Sequence, residues 1–337
     1  MKKDYKYKVC TQCVTFNHSL YIEDTLRGFA IQETSFPVVF VIIDDASTDG
    51  EQSLLRKWGA ENLVLSDDGY QTVEKYGEVV YGHLRNKNNL WFAIVLLNNN
   101  HYSLNQSKLP YFENWSSESK YEAFCEGDDY WIHPMKLQRQ IQFLDNNDDY
   151  SMCFCNALVT YDQQDRAANC FNSINKDREI HLEELLDKWI CPTQGMVIRH
   201  NVRPLFPVKG KIVGSDWQIV LHCFACGKIW GMKSVMSCYR KTELSTSMSN
   251  TFSHRSDTVL LRKVSILEGF DEYTNGEYQK LVSKYIDYYS KMGHLVAFKK
   301  KHGMLITCLL KPLTLMEMFW KRSIRPRIDK NAPTYSA

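Results

Sequence analysis

No stretch of this chain stays apolar for long: the longest uninterrupted run is the eight residues Leu90–Leu97, far short of the roughly 20 that a membrane-spanning helix requires. No bilayer span is expected. Charge of one sign is lacking as well. Forty-one Lys and Arg stand against 39 Asp and Glu, a formal net charge of +2, so no overall field draws the chain to nucleic acid, and nucleic acid is not expected as a partner. The N-terminal residues lack the long apolar stretch and small-residue cleavage site of an export signal, which points to a cytoplasmic protein.

Several motifs are missing too. Neither Gly-x-x-x-x-Gly-Lys-Ser/Thr nor Gly-x-Gly-x-x-Gly follows the first strand-like segment, so the P-loop and the dinucleotide fingerprint are excluded. An EF-hand beginning at Asp45 needs an acid at its twelfth position, where Arg56 stands. A phosphatase with an Asp-x-Asp strand end needs an acid where Ala46 stands. Eleven cysteines form an odd set, several of them inside apolar runs, and read as reduced, buried thiols. Cys10-x-x-Cys13 and Cys223-x-x-Cys226 lie in segments that read as a strand and a helix, which argues against zinc.

What is there is an alternation. Lys8 to Phe16 is strand-like, and Asn17-His18-Ser19 offers a cap for a helix bearing Ile22, Leu26, Phe29 and Ala30 on one face. Val38 to Ile43 is the continuous β-branched and aromatic run of a strand buried on both faces. It stops at Asp44-Asp45-Ala46-Ser47-Thr48-Asp49-Gly50, where Thr48-x-x-Glu51 fits a capping box. The Asn-rich stretch from Asp67 to Ser119 reads loosely as helix plus loops. Tyr121 to Cys125 is another strand, again closed by acids at Glu126-Gly127-Asp128-Asp129, before a helix with Leu137, Ile141 and Leu144 on one face. Ser151 to Tyr161 is a further strand. The whole describes an α/β fold with a mainly parallel central sheet flanked by helices, in which ligands sit beyond the carboxyl ends of strands.

Two acidic strand ends about 80 residues apart are what a metal-bound diphosphate requires, because Mg²⁺ or Mn²⁺ takes one or two carboxylates and leaves its other positions to phosphate and water. One such cluster alone reads as ordinary turn chemistry. The pair predicts that the tips near 45 and 128 converge to grip a cation.

Thr15-Phe16-Asn17-His18, then Phe36-Pro37 leading to Ile43-Asp44-Asp45-Ala46-Ser47, then Cys125 to Trp131 with Pro134, Lys136-Leu137 and Gln140, resemble the nucleotide-sugar signatures of family 2 glycosyltransferases, closest to bacterial members that build surface polysaccharides. The resemblance covers roughly residues 8 to 245. It implies a GT-A fold, a nucleotide-diphosphate sugar donor with UDP as the default base, a divalent metal, and inversion at the anomeric carbon. By position, Thr15 and Asn17 line the nucleotide pocket, and Asp45, with Asp44 beside it, reads the base. Asp128 is the metal ligand, Glu126 stands close to the donor in place of the commoner Asp, and Asp129 supports. Asp216 in Gly214-Ser215-Asp216-Trp217 occupies the place of the catalytic base, with a helix-cap role as the alternative. Arg240 is placed to reach the diphosphate or to make an ordinary salt bridge, and Trp131 and Trp217 to stack on sugar or pack in the core. A sugar nucleotidyltransferase would instead want a Gly-rich basic loop after the first strand.

Residues 1–250 are expected to form the catalytic domain, with a donor half to about 150 and an acceptor half beyond it, and 251–337 a helical region. From Lys291 to Lys330 ten Lys and Arg accompany two acids. The segment Leu295 to Arg327 is basic and amphipathic and is expected to break at Pro312. It suits either a peripheral contact with the inner face of the membrane, where a lipid-linked or other glycan acceptor is presented, or a helical cap on the domain. The alternative to an enzyme is a non-catalytic nucleotide-sugar-binding or assembly protein of the same fold.

Overall fold

The computed structural model describes residues 4–65, 68–162, 167–209, 216–242 and 257–311, together with 313, 314, 316, 334 and 335. In chain order the elements are β1 (Tyr7–Thr15), α1 (Ile22–Ala30), β2 (Val38–Asp44), α2 (Glu51–Asn62), β3 (Leu63–Val64), β4 (Tyr70–Glu74), β5 (Gly77–Leu84), β6 (Lys87–Leu97), α3 (Leu109–Ser116) and β7 (Ser119–Phe124). There follow β8 (Tyr130–Trp131), α4 (Lys136–Asn146), β9 (Tyr150–Tyr161), β10 (Ala168–Cys170), β11 (Arg178–Ile180), α5 (Leu182–Asp187), β12 (Met196–Arg199), α6 (Asp216–Cys226), β13 (Lys228–Lys241), α7 (Asp257–Tyr273), α8 (Gln279–Leu310) and β14 (Thr334–Tyr335).

One sheet runs in the order β11-β13-β9-β12-β7-β1-β2-β6-β5-β3. Its middle, β7-β1-β2-β6, is parallel, while β12 on one side and β5 on the other join antiparallel. Helices flank a mixed sheet with a parallel middle, an α/β fold as expected and GT-A-like as the resemblance implies, with more antiparallel pairing on both sides than the mainly parallel sheet read from the alternation. The reason lies in β2, whose seven residues are all buried. Val38, Phe40 and Ile42 enter one core, covered by α1 and α4, and Val39, Val41 and Ile43 enter the opposite one, covered by α3. The eight-residue apolar run is the neighbouring strand, where Phe92 and Ile94 face the first core and Ala93 and Val95 the second.

Some local expectations are corrected. The stretch 68–119 is a three-strand meander, β4-β5-β6, plus α3. Helix α1 begins at Ile22 after Tyr21, with no side-chain cap, because Asn17 turns left-handed (φ 56°) and bonds across to the next loop instead. Helix α2 is capped by Gly50 at φ 94°, and no Thr48 capping box forms.

The C-terminal helices α7 and α8 pack together and onto α5 and α6 through a core that includes Leu182, Leu186, Phe206, Leu221, Leu267, Phe270 and Leu295. Leu295 is thus a docking residue, whereas Lys299, Lys300 and Lys301 are exposed. The helix breaks at Gly303 (φ 81°). The break expected at Pro312, the boundary near 250 and the distal basic residues lie outside the described residues. Among the described residues no helix is long and apolar enough to cross a membrane.

Candidate active site

Because β2, β1 and β7 are parallel neighbours, their carboxyl ends open on one edge of the sheet. Thr15, at the end of β1, sits between the two acidic tips. Its carbonyl accepts from Asp45 N at 2.9 Å on one side, and on the other Gly127 N donates to Val14 O at 3.0 Å. The tips near 45 and 128 therefore meet, as expected.

The first two loops are knitted together. Asn17 N donates to Ser47 Oγ at 2.9 Å, Thr48 N to Asn17 Oδ1 at 2.8 Å and Ser19 N to Asp49 Oδ2 at 2.9 Å. Beneath them Glu51, fully buried, accepts from the Thr15 hydroxyl and from His18 N and Ser47 Oγ. Burial pushes its carboxyl up to about 7. Ala46 holds a left-handed φ of 62°, a conformation that costs a non-glycine residue on the order of 1 kcal/mol. Beyond that turn, Ser47 N reaches back to Asp44 Oδ1 at 2.9 Å.

Each expected residue can now be placed. Thr15 is buried and Asn17 is exposed at the rim. Asp44 is buried, takes Ser47 N and Gln52 Nε2 on Oδ1, and leaves Oδ2 without a partner among the described residues. Burial raises its pKa. Asp45 is not a free carboxylate. It accepts His101 N at 2.7 Å, Tyr102 N at 3.1 Å and Lys108 Nζ at 2.8 Å. At the first tip, then, the uncommitted carboxylate oxygen among the described residues is Asp44 Oδ2, and Asp45 is already engaged.

That second tip is pinned by Thr25, whose hydroxyl donates to Gly127 O at 3.0 Å and Asp129 O at 2.6 Å. Asp129 is buried, accepts Arg240 N at 2.8 Å and has a raised pKa, chiefly from burial. Asp128 is also buried, yet its carboxylate makes no hydrogen bond among the described residues; His18 Nε2 stands 4.0 Å away. Desolvation lowers the His18 pKa, against the opposing effect of Asp128 and Asp49. Glu126 has an exposed side chain but crowded surroundings, and desolvation, followed by the Asp128 and Asp216 charges, pushes its pKa upward.

Asp216 joins this group from the far half of the chain. It is the first residue of α6, half-buried, and accepts the Thr193 hydroxyl on Oδ2 at 2.6 Å. Desolvation raises its pKa and the Thr193 hydrogen bond opposes the rise. Its Oδ1 has no hydrogen bond among the described residues.

Arg240 does not point to an open diphosphate site. Its Nη2 bonds Asp24 Oδ2 at 2.7 Å and its guanidinium lies between the rings of Tyr21 and Tyr130, 4.7 and 4.8 Å from their centroids. Trp131 is a core residue, stacked edge-on against Phe29. Trp217 is half-buried, with Nε1 on Leu185 O. The residues that sequence reasoning missed are His18, read as a plain loop residue, and Lys108, which closes on Asp45 from 63 positions away. Neither carries a local signal.

No family model matches the chain. Uncharacterized proteins of Mycobacterium bovis and of the H37Rv strain of Mycobacterium tuberculosis are each 26% identical over 232 residues, 68% of this chain and 57% of theirs. The match thus spans little more than half the length of these relatives. Among solved structures, residues 1–349 of S. aureus TarS align over 98% of this chain and 99% of that one, at 12% identity and a TM-score of 0.50. The two chains share a fold. A mannosyltransferase from Pyrobaculum calidifontis, solved with GDP-Man and Mn²⁺, aligns more loosely, at 13% identity over 97% of this chain and 88% of that one, with a TM-score of 0.46.

Proposed function

We propose that the chain is a glycosyltransferase that moves a sugar from a nucleotide-diphosphate donor, UDP in the first instance, to an acceptor hydroxyl with inversion. The observation that carries this reading is the meeting of Asp216 with the Glu126–Asp129 segment at the carboxyl edge of a GT-A-like sheet. One carboxylate group faces where a leaving diphosphate is held, and one separate carboxylate stands ready for a proton.

Asp216 fits the base. Its Oδ2 is occupied by Thr193, so Oδ1 takes the proton of the acceptor hydroxyl as the acceptor oxygen bonds the anomeric carbon and the bond to the diphosphate breaks. The raised pKa strengthens it as a base. Asp128, with an unbonded and mostly buried carboxylate, fits a hard divalent cation, with Glu126 beside it. Among the described residues no group of three or more His, Cys, Asp or Glu is placed to hold a metal, so phosphate and water would complete the shell. Such an ion, Mg²⁺ or Mn²⁺, supplies charge neutralisation for the leaving group. The acceptor on this reading is a glycan or a lipid-linked sugar at the inner face of the membrane, toward which the exposed Lys299–Lys301 run would turn.

The test is release of nucleoside diphosphate from a panel of UDP-, GDP- and TDP-sugars with Mn²⁺ or with chelator. Turnover of one donor that chelator abolishes is expected. Donor binding without turnover would move the chain to a binding or assembly role.

A further inference from the structure

Deepening the reading just given, and resting on it, we infer that Trp131 is a positioning residue that ties the acid-bearing segment 126–129 to Asp216. Trp131 comes two residues after Asp129 in the chain. Its indole Nε1 donates to Gln194 O at 2.8 Å, and Gln140 Nε2 donates to the next carbonyl, Gly195 O, also at 2.8 Å. Both carbonyls belong to the single 3-10 turn Thr193–Gly195, closed by Gly195 N on Pro192 O at 2.8 Å. The first residue of that turn is Thr193, whose hydroxyl holds Asp216. The path from indole to carboxylate is two short hydrogen bonds joined through the adjacent residues Gln194 and Thr193.

The upstream end of this path is fixed. Trp131 is 1% exposed, packs edge-on against Phe29, and has the Lys136 ammonium 4.0 Å from its ring centroid. Its backbone pairs with Ser237 of β13, and α1 crosses it so closely that a Cβ on Gly28 would lie 2.7 Å from Trp131 N. The backbone at Trp131 cannot shift without disturbing α1 or β13, and the ring is held by Phe29 and Lys136. At the downstream end the Gln194 side chain is buried with neither amide atom partnered among the described residues, so the turn is anchored by the carbonyls that Trp131 and Gln140 hold and not by its own side chain. A buried indole N–H has one hydrogen-bonding choice, and leaving it unmade is unfavourable. Any shift of segment 126–131 on donor entry is therefore delivered to Asp216. A displacement of about 1 Å at a base can cost on the order of 100-fold in rate.

The test is a mutant cycle on the whole chain with the donor that the parent turns over: Trp131→Phe, Thr193→Val and the double variant, with thermal unfolding recorded for each. Each single variant is expected to lose about 10-fold or more in kcat with donor KM within about threefold, as for groups that act as a unit. The double variant is expected to fall within about twofold of the poorer single. Losses that multiply, or a folded Trp131→Phe with parental kcat, would overturn the inference while leaving the proposed function standing. If Trp131→Phe does not fold, Gln140→Leu takes its place in the cycle, under the same two outcomes. A parent chain inert toward every donor would overturn the proposed function and this inference with it.

Discussion

Lys108 reaches Asp45 across 2.8 Å and, with His101 N and Tyr102 N, occupies three of the roughly four acceptor positions of a carboxylate that is 2% exposed. On the proposed reading Asp45 meets the nucleotide base, and there a base N–H would compete with the lysine already on Oδ2. Lys108→Met leaves a buried charge with two backbone donors, which should lower unfolding free energy by about 2–3 kcal/mol. Uridine nucleotides should bind several-fold tighter, since their competitor is gone. Calorimetric titration of the parent and the variant checks both the sign and the size, and weaker binding by the variant would refute the competition.

Glu51 makes stability depend on pH with a sign that can be worked out. Its carboxyl ordinarily dissociates near 4.5 and in the fold near 7, so between those values the native state holds a proton that the unfolded chain has lost. Its contribution is greatest below pH 4.5, falls as pH rises through the window, and is flat above 7. The amplitude is about 3.5 kcal/mol at most, from about 1.4 kcal/mol per pH unit. Urea unfolding at pH 5 and pH 8 should show Glu51→Gln with a smaller drop than the parent. An equal drop in both would remove Glu51 as its source.

These two groups also mark what a sequence displays and what it hides. The β2 run and the acids after Phe124 were legible because burial on two faces demands an unbroken apolar strand, and because a parallel strand ends where ligands bind. Strands β4 to β6 were not legible: Lys87-Asn88-Asn89 begins β6 with three polar residues, of which Lys87 pairs with Leu84 of β5 across a shift of register. The 14-residue β13 also escaped notice, because its shifts of register between Met232 and Ser237 break the two-residue alternation. Contacts such as Lys108 to Asp45, His18 to Asp128 and Arg240 to Asp24 join positions 63, 110 and 216 apart. No local pattern encodes them. The motif around Asp216 stands out in the sequence, whereas the hydrogen bond from the Thr193 hydroxyl to its carboxylate does not.

Asp216→Asn separates catalysis from stability. Removing the base should lower turnover by at least about 100-fold, within the usual reach of general-base assistance. Stability should hold or rise at pH 7, since desolvation disfavours the charged form and the amide carries no charge. Turnover and thermal midpoint measured on one preparation give the answer. Full turnover with an intact fold would strip Asp216 of the role.

Gly127 is where the acidic segment after β7 lies against the end of β1. A Cβ there would lie 2.1 Å from Thr15 Oγ1 and 2.5 Å from Thr15 Cβ, and 3.1 Å from His18 Nδ1. No rotamer of Thr15 relieves a clash with its own Cβ, so Gly127→Ala must push the acidic segment away from β1. That should cost about 2–3 kcal/mol of stability and weaken donor binding at least about tenfold, because Asp128 moves with the segment. The cause can be isolated by trimming the obstacle. Thr15→Gly in the Gly127→Ala background deletes both of the Thr15 side-chain atoms that collide, so the double variant should be more stable than the sum of the two single losses. Titration of a uridine nucleotide with Mn²⁺ into all four proteins follows binding alongside stability. Strict additivity would mean that contact with Thr15 is not what makes position 127 a glycine.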